Sequence, residues 1–128
     1  MMEKLPMPTS MNAVDIDNQH IEIINKLNVL LDTTLSNAIK CKHIVELGPM
    51  LLSHFTDEAK YMKNLGFPFI GTHLVEHSLL IARYNEVLDA ALTDNVTQDI
   101  ISELVLDTSS HIEHYDVLYA DYYSAMEK

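Results

Sequence analysis

HFTDEAKYMKNLGFPFIGTHLVEH, running from His54 to His77, is the stretch that decides how this chain folds. His54 and Glu58 stand four residues apart, and so do His73 and His77. Residues at that spacing lie one turn apart on one face of an α-helix, about 40° around its axis. Leu65-Gly66-Phe67-Pro68 interrupts the pattern between the two pairs. Helices joined by so short a turn run antiparallel, which can aim both pairs at a common point. Three imidazoles and a carboxylate converging inside a bundle are costly to bury unless they bind something. Neutral imidazole suits Zn, Cu, Fe and Ni, and a carboxylate can bridge two ions.

Outward from this stretch the apolar residues keep helical spacing. The helix carrying His54 is predicted over roughly 42–64, with Ile44, Leu47, Leu51, Phe55 and Met62 on or near its inner face. Gly48-Pro49 either kinks it or marks a restart with the proline in the first turn. Downstream, Thr72 is the expected N-cap of a helix carrying His73, His77, Leu80, Ile81, Tyr84, Val87, Leu88 and Leu92. Thr93-Asp94-Asn95 reads as a turn, and Thr97 starts a last segment over roughly 97–126. That segment uses Ile100, Ile101, Leu104, Val105, Ile112, Leu118 and Tyr122. At the other end, Asp15 or Asp17 caps a helix followed through Ile21, Ile24, Leu27, Leu31, Leu35 and Ile39, with His20 in its first turn. Residues 1–14, with Pro6 and Pro8, read as an extended arm, and 15–128 as one domain. The expected architecture is all-α, an up-down-up-down antiparallel four-helix bundle.

The composition excludes several classes of function. With 19 Asp+Glu against 8 Lys+Arg among 128 residues, nucleic acid and anionic membranes are poor partners. A single cysteine, Cys41, rules out an internal disulfide, cysteine-rich zinc sites, iron–sulfur clusters and thioredoxin-type chemistry. No apolar run approaches the length of a membrane span, and the first residues lack the apolar region of a signal peptide. A cytoplasmic protein is expected, monomeric or weakly oligomeric.

The last helix adds His111 and Asp116 to the histidines and the glutamate. Five residues turn about 140° on an ideal α-helix, so these two are not stacked on one face. They can still flank a central cavity if the aspartate reaches across. Each short motif alone is common on amphipathic helices. The ordered set is specific: His20 near the start of the first helix, H-x3-E, H-x3-H and H-x4-D on the next three.

From about Ala13 to Tyr123 the sequence resembles the hemerythrin family, in particular its small single-domain bacterial members. The resemblance rests on Asp17-x-Gln19-His20, His54-Phe55-x-x-Glu58 followed by Met62, Phe67-Pro68, His73-x3-His77 and His111-Ile112-x3-Asp116. It implies a non-haem di-iron centre with a bridging oxo or hydroxo group and O2 as ligand. By that resemblance Glu58 and Asp116 bridge the irons, His73, His77 and His111 cap one, and His20 and His54 the other. Five imidazoles, two bridging carboxylates and one bridging oxygen then fill all but one of the positions of two octahedral ions. The open position falls on the iron with two histidines, where O2 would bind. In the family's chemistry the diferrous pair lends O2 two electrons and the bridge lends a proton, and release reverses both transfers. The resemblance thus implies a reversible O2 carrier or store and not an enzyme, with slow peroxidase or oxidase turnover as a side activity.

Two departures stand near the expected centre. Ala59 follows Glu58 where the family often has a second glutamate. Asp107 and Thr108 stand where it often has a tryptophan and an apolar residue. Thr108 is therefore the candidate for a polar wall of the O2 pocket, favouring entry of water or anions and oxidation to the diferric form.

Other classes fit less well. No glutamate has a histidine three positions later, which argues against ferritin-like di-iron oxidases, and no His-Asp dipeptide marks a phosphohydrolase. His43 and His114 fall outside the ligand pattern and read as solvent-facing or polar-network residues. Cys41 reads as an incidental thiol, and Met50 and Met62 as core filler. The alternative function is a sensor of O2, NO or redox state built on the same centre. Sensors of this family are commonly fused to signalling domains, for which a chain of 128 residues has no room, so the free carrier is expected.

Overall fold

The computed structural model describes residues 4–5 and 14–126. The arm expected over 1–14 lies outside the described residues except at Lys4, Leu5 and Val14. Leu5 is held beside the first helix by Asn28, whose side chain accepts from the Leu5 N–H at 2.7 Å and donates to its carbonyl at 3.2 Å.

Helix α1 spans Val14–Leu30, α2 Asn37–Leu65, α3 Ile70–Leu92 and α4 Gln98–His111. A π-helical turn, Ile112–Asp116, then joins α4 to α5, Val117–Met126, so these three pieces form the fourth rod. α1 packs on α2, α2 on α3 and α3 on α4, while α1 and α4 close the bundle. This is the antiparallel four-helix bundle expected from the sequence.

Several local readings are corrected. α1 stops at Leu30, short of Leu35 and Ile39. The Asp32 carboxylate accepts from the Thr34 N–H at 2.9 Å and hydroxyl at 2.6 Å, a local turn that competes with helix. The Ser36 hydroxyl then caps α2 by accepting from the Ile39 N–H, so α2 begins at Asn37, earlier than 42. α3 begins at Ile70, two residues ahead of the expected Thr72 cap, and its N-cap, Phe69, makes no side-chain cap bond. Thr97 does cap α4, accepting from the Ile100 N–H at 3.3 Å. Leu92 and Leu118, expected inside, are 70% and 48% exposed.

α2 neither ends nor restarts at Gly48-Pro49; it continues through the proline. The Tyr84 hydroxyl from α3 reaches the backbone there and donates to the Ile44 carbonyl at 2.6 Å. Only a glycine admits it, because a Cβ on Gly48 would lie 2.6 Å from that hydroxyl oxygen. α2 ends at Gly66, whose φ of 74° lies in the left-handed region and whose N–H returns to the Lys63 carbonyl.

The apolar interior is split in two. A large cluster, including Ile23, Leu27, Leu30, Ile44, Leu47, Leu51, Val87, Ile101 and Leu104, fills the end of the bundle nearest the α1–α2 loop. A smaller cluster of Ile16, Met62, Phe67, Tyr119 and Ala120 closes the opposite end. The buried polar side chains of the candidate site come from helix segments between the two clusters. Among the described residues no helix is long and apolar enough to cross a membrane.

Candidate metal centre

All seven side chains singled out in the sequence are buried: His20, His54, Glu58, His73, His77, His111 and Asp116. α1 supplies the first, α2 the next two and α3 the following two, while His111 ends α4 and Asp116 ends the π turn. The π turn removes the difficulty of the five-residue spacing. Its i→i+5 pairing makes residues five apart neighbours along the axis, as residues four apart are in an α-helix. His111 Nε2 and Asp116 Oδ1 accordingly approach to 2.8 Å.

These residues form two groups of candidate ligands that share both carboxylates: His73, His77 and His111 with Glu58 and Asp116, and His20 and His54 with the same pair. Each carboxylate turns one oxygen to each group. Glu58 Oε1 lies 2.7 Å from His77 Nε2 and 3.2 Å from His73 Nε2, and Oε2 lies 3.3 Å from His54 Nε2 and 3.4 Å from His20 Nε2. Asp116 Oδ1 lies 2.8 Å from both His73 and His111 Nε2, and Oδ2 lies 3.0 Å from His20 Nε2. The Nε2 atoms of all five imidazoles therefore face the shared carboxylates.

Much of this cluster is close in distance but not aligned as hydrogen bonds. The Nε2 atoms of His20, His54 and His111 and both Asp116 oxygens are buried without a hydrogen-bond partner. Buried polar atoms are rarely left so. Atoms gathered around points between them, and not aimed at one another, fit the donor set of a metal centre: imidazole nitrogen and bridging carboxylate.

Within the cluster the charges lean on one another. Burial works against the His20 and His111 cations, but Asp116 and Glu58 outweigh it and raise both to about 9. Burial, aided by the neighbouring imidazoles, lowers His77 even though Glu58 opposes it. Burial would raise Glu58, yet the surrounding histidines, His111 and His20 first, hold it well below the usual carboxylate range. Asp116 is lowered in the same way, against burial and against the Glu58 charge.

Two residues of the surroundings, Tyr119 and Asp57, were missed in the sequence, as was the bond that Gln19, seen there as part of a motif, makes to His54. The Tyr119 hydroxyl donates to Glu58 Oε2 at 2.8 Å from a fully buried ring. Gln19 accepts at Oε1 from His54 Nδ1–H at 2.8 Å and donates from Nε2 to Asp57 at 2.7 Å. That bond selects the His54 tautomer whose Nε2 is free to ligate. The phase of the apolar pattern pointed to Leu118, and the π turn moves Tyr119 into its place. The H-x4-D spacing, wrong for an α-helix, was the available signal.

Thr108 is buried, and its hydroxyl donates to the Leu104 carbonyl at 2.8 Å, one turn back in α4. Its oxygen keeps acceptor capacity. Phe55 stacks on His77 at 4.1 Å and 17°, and Tyr115 lies parallel to His111 at 5.6 Å. Outside the centre, His43 contacts Lys26 and Glu46 in a surface network, and His114 is exposed. The Cys41 thiol donates to the Ala91 carbonyl at 3.5 Å.

No protein-family model matches the chain. Curated relatives do. A bacteriohemerythrin of Stenotrophomonas maltophilia is 34% identical over 112 residues, covering 83% of this chain and 71% of the relative. One of Aquifex aeolicus is 29% identical over 107 residues, covering 79% and 82%. Among solved structures, a wild-type hemerythrin superposes with a TM-score of 0.79 at 23% identity, covering 94% of this chain and 96% of that one, which establishes the fold. This chain, whose bundle encloses a buried group of histidines and carboxylates able to bind metal, belongs to the hemerythrin family as a relative of the bacteriohemerythrins.

Proposed function

We propose that this chain binds O2 reversibly at a pair of iron ions and serves as an O2 carrier or store. The observation that carries the reading is the division of each shared carboxylate, with one oxygen toward the group of three histidines and the other toward the group of two. That division is what two bridged ions of unequal histidine count require. His73, His77 and His111 would hold one ion and His20 and His54 the other, with Glu58 and Asp116 across both. When bound, such a pair supplies two electrons that O2 can take up and return.

The chain's own groups do the rest. Gln19 orients His54, on the side with fewer histidines. Tyr119 donates to Glu58 Oε2, the oxygen facing that same side, and so steadies the carboxylate there. The large and small apolar clusters shield the histidines and carboxylates from water at either end. Thr108, three residues before His111, supplies an acceptor that an apolar residue would not.

Metal analysis and one spectrum test the reading. The protein expressed with ample iron should contain two irons per chain. Its anaerobic diferrous form should gain a charge-transfer band on exposure to O2 and lose it again on deoxygenation, through repeated cycles. One zinc per chain, or no metal, overturns the di-iron centre. Two irons with irreversible oxidation in the first cycle overturns the carrier and favours redox sensing.

A further inference from the structure

His54 is held from outside the cluster by a short chain of hydrogen bonds that ends on the surface. Gln19 Oε1 accepts from His54 Nδ1–H at 2.8 Å, and Gln19 Nε2 donates to Asp57 Oδ2 at 2.7 Å. The chain crosses from α2 to α1 and back, tying together the turns that carry candidate ligands: Gln19 precedes His20 and Asp57 precedes Glu58. Burial falls away along it, since His54 is buried, Gln19 half-buried and Asp57 exposed. His20, the other imidazole of the smaller group, lacks such support, because its Nδ1 is buried without a hydrogen-bond partner. His54 is therefore the member of that pair whose ring is fixed at Nδ1.

We propose that Asp57, which lies outside the ligand set, is a positioning residue for the centre: it fixes which end of the Gln19 amide faces His54, and so keeps His54 Nε2 open for a metal ion. The proposal rests on the metal-centre reading above and deepens it, by extending control of one ligand to a surface carboxylate beyond Gln19.

A glutamine amide has two unlike ends of nearly equal size. Its oxygen only accepts and its nitrogen only donates, so its partners decide which way round it sits. Toward His54 the two ends have opposite effects. The oxygen requires a proton on Nδ1 and leaves the Nε2 lone pair free. The nitrogen requires a lone pair on Nδ1, which puts the proton of a neutral ring on Nε2, where an ion would bind. A carboxylate settles the choice, because it can only accept. With Asp57 Oδ2 at 2.7 Å, the amide atom that meets it is the nitrogen, and the oxygen is left for His54. The reversed amide would set its oxygen against the carboxylate, two acceptors with no proton between them. Asp57 is exposed and water competes for it, yet the bond has only to separate two orientations of one amide, and a charged acceptor strengthens it.

Asp57→Lys replaces the acceptor by a donor, which favours the reversed amide, and Asp57→Ala removes the preference. Gln19→Glu supplies the control, because both of its oxygens accept and its orientation no longer matters. Iron-loaded diferrous proteins are mixed with a ferrous chelator and the rate of iron loss is followed. Asp57→Lys should lose iron about ten-fold faster than wild type, and Asp57→Ala several-fold faster. In the Gln19→Glu background, Asp57→Lys should change the rate little. Proton magnetic resonance of the loaded proteins gives the second readout. One of the shifted ring N–H resonances of the ligands should exchange with solvent several-fold faster in Asp57→Lys, with the others unchanged. Iron loss and N–H exchange equal to wild type in both single variants overturn the proposal. Equal acceleration by Asp57→Lys in the two backgrounds does so as well, since charge alone would then act, and faster exchange at every ring N–H would mean general loosening and overturn it too. Should Asp57→Lys fold poorly, Asp57→Ala decides by the same two measurements. Wild type that takes up no metal overturns the centre itself, and the proposal with it; two irons in wild type with unaffected variants count against Asp57 alone.

Discussion

Two places in the bundle break the regular α-helix, and they do so for opposite reasons. At Gly48-Pro49 the proline withholds a donor from the Val45 carbonyl, and the helix continues regardless. α2 runs on, with the Tyr84 hydroxyl bonded to the Ile44 carbonyl in the space that Gly48 leaves open. At Ile112–Asp116 the chain carries no proline or glycine, yet the helix widens into a π turn. There the side chains set the terms: Asp116 reaches His20, His73 and His111 at once, each within 3.0 Å. The first irregularity is a defect absorbed by packing. The second is a geometry imposed by the centre, and such turns recur at functional sites. Changes near Gly48 should therefore register as stability and changes around the π turn as metal chemistry.

The strongest test lies on the metal side. Asp116→Ala and Glu58→Ala should each abolish the paired site, with iron falling from two per chain to one or none, because each carboxylate faces both histidine groups. Near-normal iron and a normal O2 spectrum in both variants would place the bridge elsewhere.

Next in size is the pH response of the metal-free protein. His20 and His111 are raised to about 9 in the fold. Their stabilisation is complete below the ordinary histidine value of about 6.5 and is lost as pH rises through 9, a loss of order a few kcal/mol. Glu58 and Asp116 are lowered, so their contribution is present above the ordinary carboxylate range and is lost as pH falls below it. Unfolding curves at pH 6.5 and 9.5 should show the decline in metal-free protein. Iron-loaded protein, whose histidines are already deprotonated, should lack it.

On the packing side, Gly48→Ala should cost about 1–3 kcal/mol, because the new Cβ displaces the Tyr84 hydroxyl. Tyr84→Phe should cost about 1 kcal/mol for the lost bond to Ile44. Denaturant unfolding measures both, and iron content should stay at the wild-type level. A loss of iron in either would erase the distinction between the two irregularities.

Thr108→Val should have a smaller effect. It removes a buried hydroxyl three residues before His111 at nearly constant shape, and should slow conversion to the diferric form at unchanged iron content. Following the decay of the O2 band with and without azide checks this, and equal rates would exclude Thr108 from the pocket. The smallest change is expected from deleting Glu113, an exposed residue of the π turn. The deletion leaves His111 and the aspartate four residues apart, a spacing that an ordinary α-helix satisfies, so iron binding should survive. Loss of iron would show that the centre needs the wide turn and not merely its register.

The legible parts of the sequence were those in which side-chain type and α-helical phase agreed. The paired positions of α2 and α3 follow the i,i+4 rule, and His54, Glu58, His73 and His77 meet in the fold as their spacing says. Beyond Ile112 that phase is displaced by one residue, so Leu118 faces out and Tyr119 faces in. Periodicity alone cannot show the displacement, because nothing in IEHYD breaks an α-helix. The end of α1 was lost for another reason: Leu31, Leu35 and Ile39 continue the apolar repeat past the turn that Asp32 and Ser36 impose. Gln19 was visible as part of a motif, but its bond to His54 joins two helices and leaves no trace in either one's pattern.

The shared carboxylates carry a consequence for how the proposed centre fills. A first ion on the side of His73, His77 and His111 neutralises one half of Glu58 and Asp116. It would leave Asp116 Oδ2 and the Nε2 atoms of His20 and His54 still buried without hydrogen-bond partners, with Glu58 Oε2 held by Tyr119. That half-filled state retains the cost of unpaired polar groups in the interior, and a second ion removes it. The first ion would also set the carboxylates in the orientation that the second needs. Uptake by the proposed centre would then be positively cooperative: at sub-stoichiometric iron the population should divide into empty and doubly loaded chains, with few carrying a single ion.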